Sequence, residues 1–152
     1  MRIGVISDTR GLLRPEALQA LAGCAHIIHA GDVGDDAILD ALRKIAPLTA
    51  IRGNVDHSGA CGELPPTETI DLAGKLLYMI HAREDLDLHP HAGGIAAVIF
   101  GHSHRPEISW ANGVLYFNPG SAGPRRFTLP ITLGILECKG DNLLPSIQPL
   151  LI

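Results

Sequence analysis

Paired cysteines, blocks of basic residues and long apolar runs are all scarce in this sequence. The three cysteines, Cys24, Cys61 and Cys138, are scattered and show no C-x-x-C spacing, which indicates reduced thiols. The formal net charge is −4 and no Lys/Arg block is present, so we expect no binding to nucleic acid or to an anionic membrane surface. A phosphate-bearing substrate would therefore need a local cation.

The apolar runs also fall far short of the ~20 residues that a transmembrane helix needs. The run within residues 1–8 is too short for a signal peptide, and we therefore expect a cytoplasmic protein. A chain of 152 residues, 46% of them hydrophobic, is long and apolar enough to bury one full core. We expect a single domain over residues 1–152.

The first half of the chain alternates between predicted strands and helices, whereas the second half is rich in strands. Strands are predicted at 2–7, 26–29 and 48–51, and helices at 15–22 and 35–45. After a loop at 59–66, the predicted strands are 67–72 and 75–80, 97–100, 107–110 and 114–117, 131–138 and 143–149. This order favours two sheets packed face to face with helices outside.

Residue types that bind metals follow the predicted strands, one strand end after another. These residues are Asp8, Asp32, Asn54 and His81, and then His102 and His104 on the loop after residue 100. Each of these residues, considered alone, is equally explained as a helix cap, a turn residue or the polar end of a strand. Taken together, carboxylate, amide and imidazole ligands suit Mn, Fe, Zn or Ni, and two such ions can clamp the attacking and leaving oxygens of a phosphoryl transfer.

The order of these motifs resembles that of the calcineurin-like metallophosphoesterases. The matching segments are Asp8-x-Arg10, Gly31-Asp32, Gly53-Asn54, His81 and Gly101-His102-Ser103-His104. In addition, Asn118-Pro119-Gly120-Ser121 with Pro124-Arg125 is similar to the small bacterial and archaeal phosphodiesterase branch. The resemblance implies an α/β fold, a four-layer αββα sandwich of two mixed β-sheets flanked by helices.

The resemblance also implies a metal centre and a reaction. The first of two divalent metal ions would be held by Asp8, Asp32 and His104. The second would be held by Asp32, Asn54, His81 and His102, so that Asp32 bridges the ions. We expect Mn, with Fe, Zn or Ni as alternatives. A metal-bound hydroxide would attack a small phosphate ester in line while Asn54 helps to fix a phosphate oxygen, which makes the expected enzyme a phosphodiesterase or a broader phosphoesterase.

Arg10 departs from the family pattern, which has D-x-H at this position. A guanidinium offers only donors and cannot bind a metal, so the first position keeps three protein ligands. Three interpretations stay open. In the first, the chain binds the first metal more weakly. In the second, Arg10 takes over part of that metal's charge by binding the substrate phosphate. In the third, Arg10 pairs with Asp8 or another acid and blocks the site.

Two further departures concern the loops around the site. Val55 stands where most members have a histidine that protonates the leaving group, so the general acid is unassigned. Ala82 and Arg83 follow His81 where the family usually has glycine, and Arg83 adds a cation that could meet phosphate.

Two alternatives to a dinuclear enzyme follow from Arg10. The chain could be a scaffold or binding protein that has this fold but no efficient catalytic activity. The retromer subunit that resembles this family is such a protein. The chain could also be an enzyme that uses only the second metal position. The sequence leaves the natural substrate open, and a homo-oligomer is neither indicated nor excluded.

Overall fold

The computed structural model describes all residues from 1 to 152. In chain order, the elements are β1 (Arg2–Ile6), α1 (Pro15–Leu21), β2 (His26–His29), α2 (Asp36–Arg43), β3 (Leu48–Ala50), α3 (Gly59–Gly62), β4 (Thr67–Leu72), β5 (Lys75–Ile80), a 3-10 helix (Arg83–Asp85), β6 (Ala97–Ile99), β7 (Glu107–Ala111), β8 (Val114–Asn118), β9 (Thr132–Lys139) and β10 (Asn142–Pro149). None of the helices is long and apolar enough to cross a membrane.

The strands form two mixed sheets of five strands each. The order in the first sheet is β10-β9-β1-β2-β3, where β1, β2 and β3 are parallel and β9 and β10 are antiparallel to their neighbours. The order in the second is β4-β5-β6-β8-β7, with β5, β6 and β8 parallel at its centre. In each sheet the carboxyl ends of the parallel strands therefore meet at one edge.

Side chains along the central strands point alternately to the two faces of each sheet, and this divides the buried core into layers. Ile3 and Val5 of β1 pack with Leu77 and Met79 of β5 between the sheets, because every second side chain of a strand points to the same face. Ile6, which points to the opposite face of β1, packs under α1 and α2, which contribute Leu21, Leu39 and Leu42 among others. These buried apolar layers supply most of the free energy that stabilises the fold.

The outer face of the second sheet is covered more lightly. Its buried side chains include Tyr78, Ile80 and Phe100, and they pack against Leu86 and Leu88 of the segment that follows β5. That segment contains only the short 3-10 helix, so the fourth layer is mainly loop. The predicted sandwich of two mixed sheets with helices outside is otherwise confirmed.

Most predicted elements match the observed ones to within two residues at each end. One correction concerns residues 59–66, for which a loop is predicted and where α3 occupies four residues. Asp36, distant in sequence, accepts hydrogen bonds from the Ala60 and Cys61 amides at 3.1 and 3.0 Å. This cap from a residue distant in sequence stabilises the short helix, which no local sequence pattern predicts.

Candidate metal centre

The site is built where the carboxyl ends of the two sheets face each other. Asp8 and Asp32 follow β1 and β2 of the first sheet, while His81 and His104 follow β5 and β6 of the second. All four are at least 95% buried, which is unusual for carboxylates unless something compensates their charge. Strand ends of different sheets thus bring distant residues to one point.

Asp8, Asp32 and His81 form the centre of the cluster. One ligand atom from each lies within 4.8 Å of the other two. His81 Nε2 is 3.4 Å from Asp32 Oδ2 and 3.8 Å from Asp8 Oδ1, and His104 Nε2 is 3.4 Å from Asp8 Oδ1. Carboxylate oxygens and imidazole nitrogens at these separations are the donor set of a transition-metal site.

Several of these facing atoms have no hydrogen-bond partner in the protein. They are Asp8 Oδ1, His81 Nε2 and both ring nitrogens of His104. A buried polar atom without a partner costs about 1–3 kcal/mol. A divalent cation coordinated by Asp8 Oδ1 and His81 Nε2 would remove that cost, so the residues present fit the divalent metal that the resemblance implies.

The other oxygen of each carboxylate is held by the surrounding loops. Asp8 Oδ2 accepts hydrogen bonds from Ser7 Oγ at 2.7 Å and from the His102 amide at 3.2 Å. Asp32 Oδ1 accepts from the Val55 amide at 3.0 Å. Each carboxylate is therefore oriented by one oxygen and presents the other to the cluster, as supporting residues do in metal sites.

A backbone carbonyl orients the His81 ring. Its Nδ1–H donates to the Ala30 carbonyl oxygen over 2.7 Å, which leaves the Nε2 lone pair of the neutral ring facing Asp8 and Asp32. Gly31 lies so close to this ring that a Cβ there would overlap Nδ1. Glycine at 31 therefore permits both the approach of the ring and the local φ of +103°.

The two acidic neighbours also change the protonation of His81. Burial alone would lower its pKa, but the interaction with Asp32 and the charge of Asp8 raise it overall. Burial would likewise raise the pKa of Asp32, yet His81, the Val55 amide and Arg10 hold it well below its usual value. Asp32 is thus an anion over the physiological pH range.

Backbone strain is concentrated in the same loops. Asp8, Arg10, Asp32, His102 and His104 all have positive φ angles, between 48° and 72°. Residues with a Cβ rarely adopt this left-handed conformation, and each costs of order 1 kcal/mol or more. Such strain is typical of functional sites, where packing and hydrogen bonds of the surrounding structure maintain it.

Arg10 pairs with the acid that the resemblance implies as the bridge. Its Nη1 lies 3.0 Å from Asp32 Oδ2, the same oxygen that faces His81 Nε2. Of the three interpretations of Arg10, the geometry matches pairing with an acid, and that acid is Asp32 rather than Asp8.

His102 and Asn54 lie outside the buried cluster. The His102 side chain is 40% exposed, and its Nε2 is 3.6 Å from Glu84 Oε1, although its ring stands edge-on to His81 with the ring centroids 5.3 Å apart. Asn54 is exposed at the rim of a cavity of about 440 Å³ that reaches His81. Polar lining residues of this cavity include Arg52, Asp85 and Asp87.

Arg83 does not face the cluster. It pairs with Glu107 at 2.6 Å and stacks over the Tyr116 ring at 4.2 Å, so its cation is engaged on the outer face of the second sheet. Ala82 has φ −111°, an ordinary extended conformation, and needs no glycine. The expectation that Arg83 could meet phosphate is therefore not supported by its position.

Sequence reasoning did not identify the structural role of Asp56. This buried carboxylate accepts hydrogen bonds from the amides of Val33, Gly34 and Gly53 at 2.9–3.1 Å, and so ties the loop that carries Asp32 to the loop that carries Asn54. The only indication of this role in the sequence is the presence of an acidic residue, Asp56, two positions after Asn54. A local motif cannot reveal which distant amides an acid will bind.

Comparison with known proteins identifies the family. Residues 1–141 match the calcineurin-like phosphoesterase superfamily domain. A probable metallophosphoesterase from Methanothermobacter thermautotrophicus is 33% identical over 156 aligned residues, which cover 94% of this chain and 89% of that protein. A probable metallophosphoesterase from Methanocaldococcus jannaschii is 35% identical over 134 residues, or 80% and 68% of the two chains.

Solved structures show the same fold at lower identity. An archaeal phosphodiesterase superposes with a TM-score of 0.80 at 22% identity, covering 97% of this chain and 99% of that one. The zinc complex of Vps29 from Entamoeba histolytica superposes with a TM-score of 0.75 at 20% identity, covering 99% of both chains. From the match to its domain and the two archaeal relatives, the chain belongs to the calcineurin-like phosphoesterase superfamily.

Proposed function

We propose that this protein is a metal-dependent phosphodiesterase, or a broader phosphoesterase, acting on small phosphate esters. The observation that carries the proposal is the buried set of Asp8, Asp32, His81 and His104, several of whose facing atoms lack any protein partner. Membership of a phosphoesterase family and the archaeal phosphodiesterase with the same fold support the reaction class.

Six residues are the proposed metal ligands, with manganese as the proposed ion. The resemblance divides them between two positions that share Asp32, and Arg10 would weaken the first position by pairing with that carboxylate. Divalent ions bound here would supply Lewis-acid stabilisation of the phosphoryl oxygens and would activate water as the nucleophile. The proposed ligands are Asp8, Asp32, Asn54, His81, His102 and His104.

The protein's own groups would bind and orient the substrate. The Asn54 amide, exposed beside the cluster, would donate to a phosphate oxygen. The Arg10 side chain is 35% exposed and can offer a second N–H to the same phosphate. The buried loop residues Asp8 and Asp32 would give these groups a fixed frame.

The cavity beside His81 would receive the organic group of the ester. Its volume of about 440 Å³ suits a small molecule, and its apolar lining residues include Ile80 and Ala82. His81 belongs to the candidate metal centre and also lines this cavity, together with Asn54. An ester bound with its phosphate at the cluster would therefore extend its alcohol portion into the cavity.

Hydrolysis of bis(p-nitrophenyl) phosphate by the metal-stripped protein, measured as Mn²⁺ is added, tests the proposal. We expect turnover only with the metal, with p-nitrophenyl phosphate as the monoester comparison. Asp32→Asn should abolish turnover, whereas Asp40→Asn on the exposed side of α2 should not change it. Metal-independent turnover, or equal turnover by Asp32→Asn, would contradict the proposal.

A second candidate is a binding protein that retains the fold without efficient chemistry. The Arg10–Asp32 pair favours it, because a guanidinium already neutralises the central carboxylate. Metal binding without turnover of any mono- or diester would support this candidate. Restoration of turnover by Arg10→His would then identify Arg10 as the cause.

A further inference from the structure

Arg10 and His81 approach the same oxygen of Asp32 from two sides. Arg10 Nη1 is 3.0 Å from Asp32 Oδ2, and His81 Nε2 is 3.4 Å from it. Asp32 is nearly fully buried, so its charge is poorly solvated, and the guanidinium is the one permanently charged cation that pairs with it. An ion bound beside His81 would share this oxygen with Arg10, and a second ion on the same oxygen would have to displace the guanidinium.

The backbone of Arg10 is fixed and cannot simply swing away. Its amide donates to the Asp32 carbonyl oxygen at 2.9 Å, and its φ is +48°. Gly34 passes so close that a Cβ there would overlap the Arg10 Cα and carbonyl carbon. The loop therefore fixes the point on the backbone from which the Arg10 side chain reaches Asp32.

The positions of the remaining groups suit one ion better than two. Asp8, Asp32 and His81 converge within 4.8 Å, while His102 reaches toward Glu84 and Asn54 stays at the rim. Three protein ligands with an open position are also the arrangement of catalytic zinc sites. A second ion would have only Asp8 and His104 left, in addition to the oxygen that Arg10 holds.

The charges of the cluster lead to the same conclusion. Asp8 and Asp32 contribute two negative charges, and Arg10 contributes one positive charge. One divalent ion then leaves a single positive charge, which a singly charged phosphodiester would neutralise. Two ions would leave three positive charges in a buried site, where unbalanced charge is strongly unfavourable.

Of the six proposed ligand residues, we propose that Asp8, Asp32 and His81 hold the one divalent ion that this chain binds tightly, and that the Arg10 guanidinium provides the second cation in place of an ion at the other position. On this account Arg10 is a substrate-binding residue that contacts a phosphoryl oxygen where a dinuclear enzyme would have a metal. This inference rests on the proposed function for the substrate alone. The number of ions is a separate property and is measured separately.

Electron paramagnetic resonance of Mn²⁺ added to the metal-stripped chain tests this inference without an activity assay. We expect one tightly bound Mn²⁺ per chain and the six-line spectrum of isolated ions, unchanged by a tenfold excess after free Mn²⁺ is removed. Arg10→His should bind a second ion and produce the broad spectrum of an exchange-coupled pair. Arg126→His adds a histidine at an exposed position and should behave as the wild type.

The outcomes separate this inference from the proposed function. Two coupled ions in the wild type, or a single isolated ion in Arg10→His, would overturn it even if the enzyme hydrolyses diesters. One isolated ion in the wild type and a coupled pair in Arg10→His would support it even if no ester is hydrolysed. Where turnover is detected, Arg10→Gln should raise KM for the diester at least tenfold while one Mn²⁺ remains bound.

Discussion

Asp8 Oδ1 lies 3.4 Å from His104 Nε2, and neither atom has a hydrogen-bond partner although both are buried. The two residues follow strands of opposite sheets. At this point the interface between the sheets therefore contains polar atoms that form no hydrogen bond within the protein. These buried atoms without a partner carry a local energetic cost that a bound cation would remove.

Mn²⁺ should stabilise the folded chain. A ligand at 100 times its dissociation constant adds about 2.7 kcal/mol to the free energy of unfolding, which corresponds to a rise in Tm of about 5–10 °C for a chain of this size. Differential scanning calorimetry with and without Mn²⁺ measures this rise. Asp32→Ala should lose the rise together with activity, and an undiminished rise in that variant would place the metal elsewhere.

A side chain at Gly101 should disturb the candidate ligand Asp8. A Cβ at this position would overlap Ser7 Oγ and Asp8 Oδ2. We expect Gly101→Ala to cost about 1–3 kcal/mol of stability. Because it displaces a candidate ligand, it should also weaken Mn²⁺ binding by about 10- to 100-fold. Urea unfolding and isothermal titration calorimetry measure the two effects.

Gly93→Ala is the matched control for that variant. A Cβ at Gly93 would meet only ordinary contacts at 3.7 Å or more, far from the cluster. Its stability and Mn²⁺ affinity should stay close to those of the wild type. Equal behaviour of the two variants would mean that the loop around Gly101 does not position Asp8.

Removal of the Asp56 carboxylate should separate the loops that carry Asp32 and Asn54. Asp56→Ala leaves three backbone amides without their acceptor, at an expected cost of about 3 kcal/mol. Asp56→Asn keeps one carbonyl acceptor and should cost less, and Asp40→Ala on the exposed face of α2 should cost little. Urea unfolding measures the free energy of unfolding of the three variants. Equal losses in all three would contradict the proposal that Asp56 holds the two loops together.

The buried His29 should make the fold sensitive to acid. Its Nδ1 accepts the Gly31 amide at 3.1 Å, so in the neutral ring Nε2 carries the proton and faces Thr9 Oγ1 at 3.0 Å. Burial lowers the pKa of His29 from 6.5 to about 4, partly offset by nearby acids such as Asp8. The unfolded chain therefore takes up the proton first, and the free energy of unfolding falls as pH falls from about 6.5 to about 4.

Between pH 7 and 5 this single group should account for a loss of about 2 kcal/mol. Urea unfolding at the two pH values measures the loss. His29→Gln should reduce it, whereas His89→Gln on the exposed loop should leave it unchanged. Identical pH dependence in wild type and His29→Gln would show that other groups control the acid sensitivity.

The sheets and most element boundaries are predictable from the sequence because their signals are local. Apolar runs and alternation predict β1, β2 and both hairpins, and the order of strand-end residues leads to the family. The helix α3 and the role of Asp56 are different, since both depend on hydrogen bonds between residues that are distant in the chain.

The candidate site is predictable only in outline, for the same reason. Sequence order indicates that Asp8, Asp32 and His81 can converge, and the structure brings them together. It cannot show which acid Arg10 will pair with, because that depends on how the loops after β1 and β2 pack. Nor can it show that His102 turns toward Glu84 while His104 stays buried beside Asp8.

Anomalous X-ray diffraction from crystals grown with Mn²⁺ tests the central claim most directly, because it locates the metal without reference to activity. The account predicts a manganese peak bonded to Asp8, Asp32 and His81, in a chain that hydrolyses phosphodiesters only with the metal. A manganese-saturated chain with no peak at this cluster, or with its only peaks on surface residues, would contradict it.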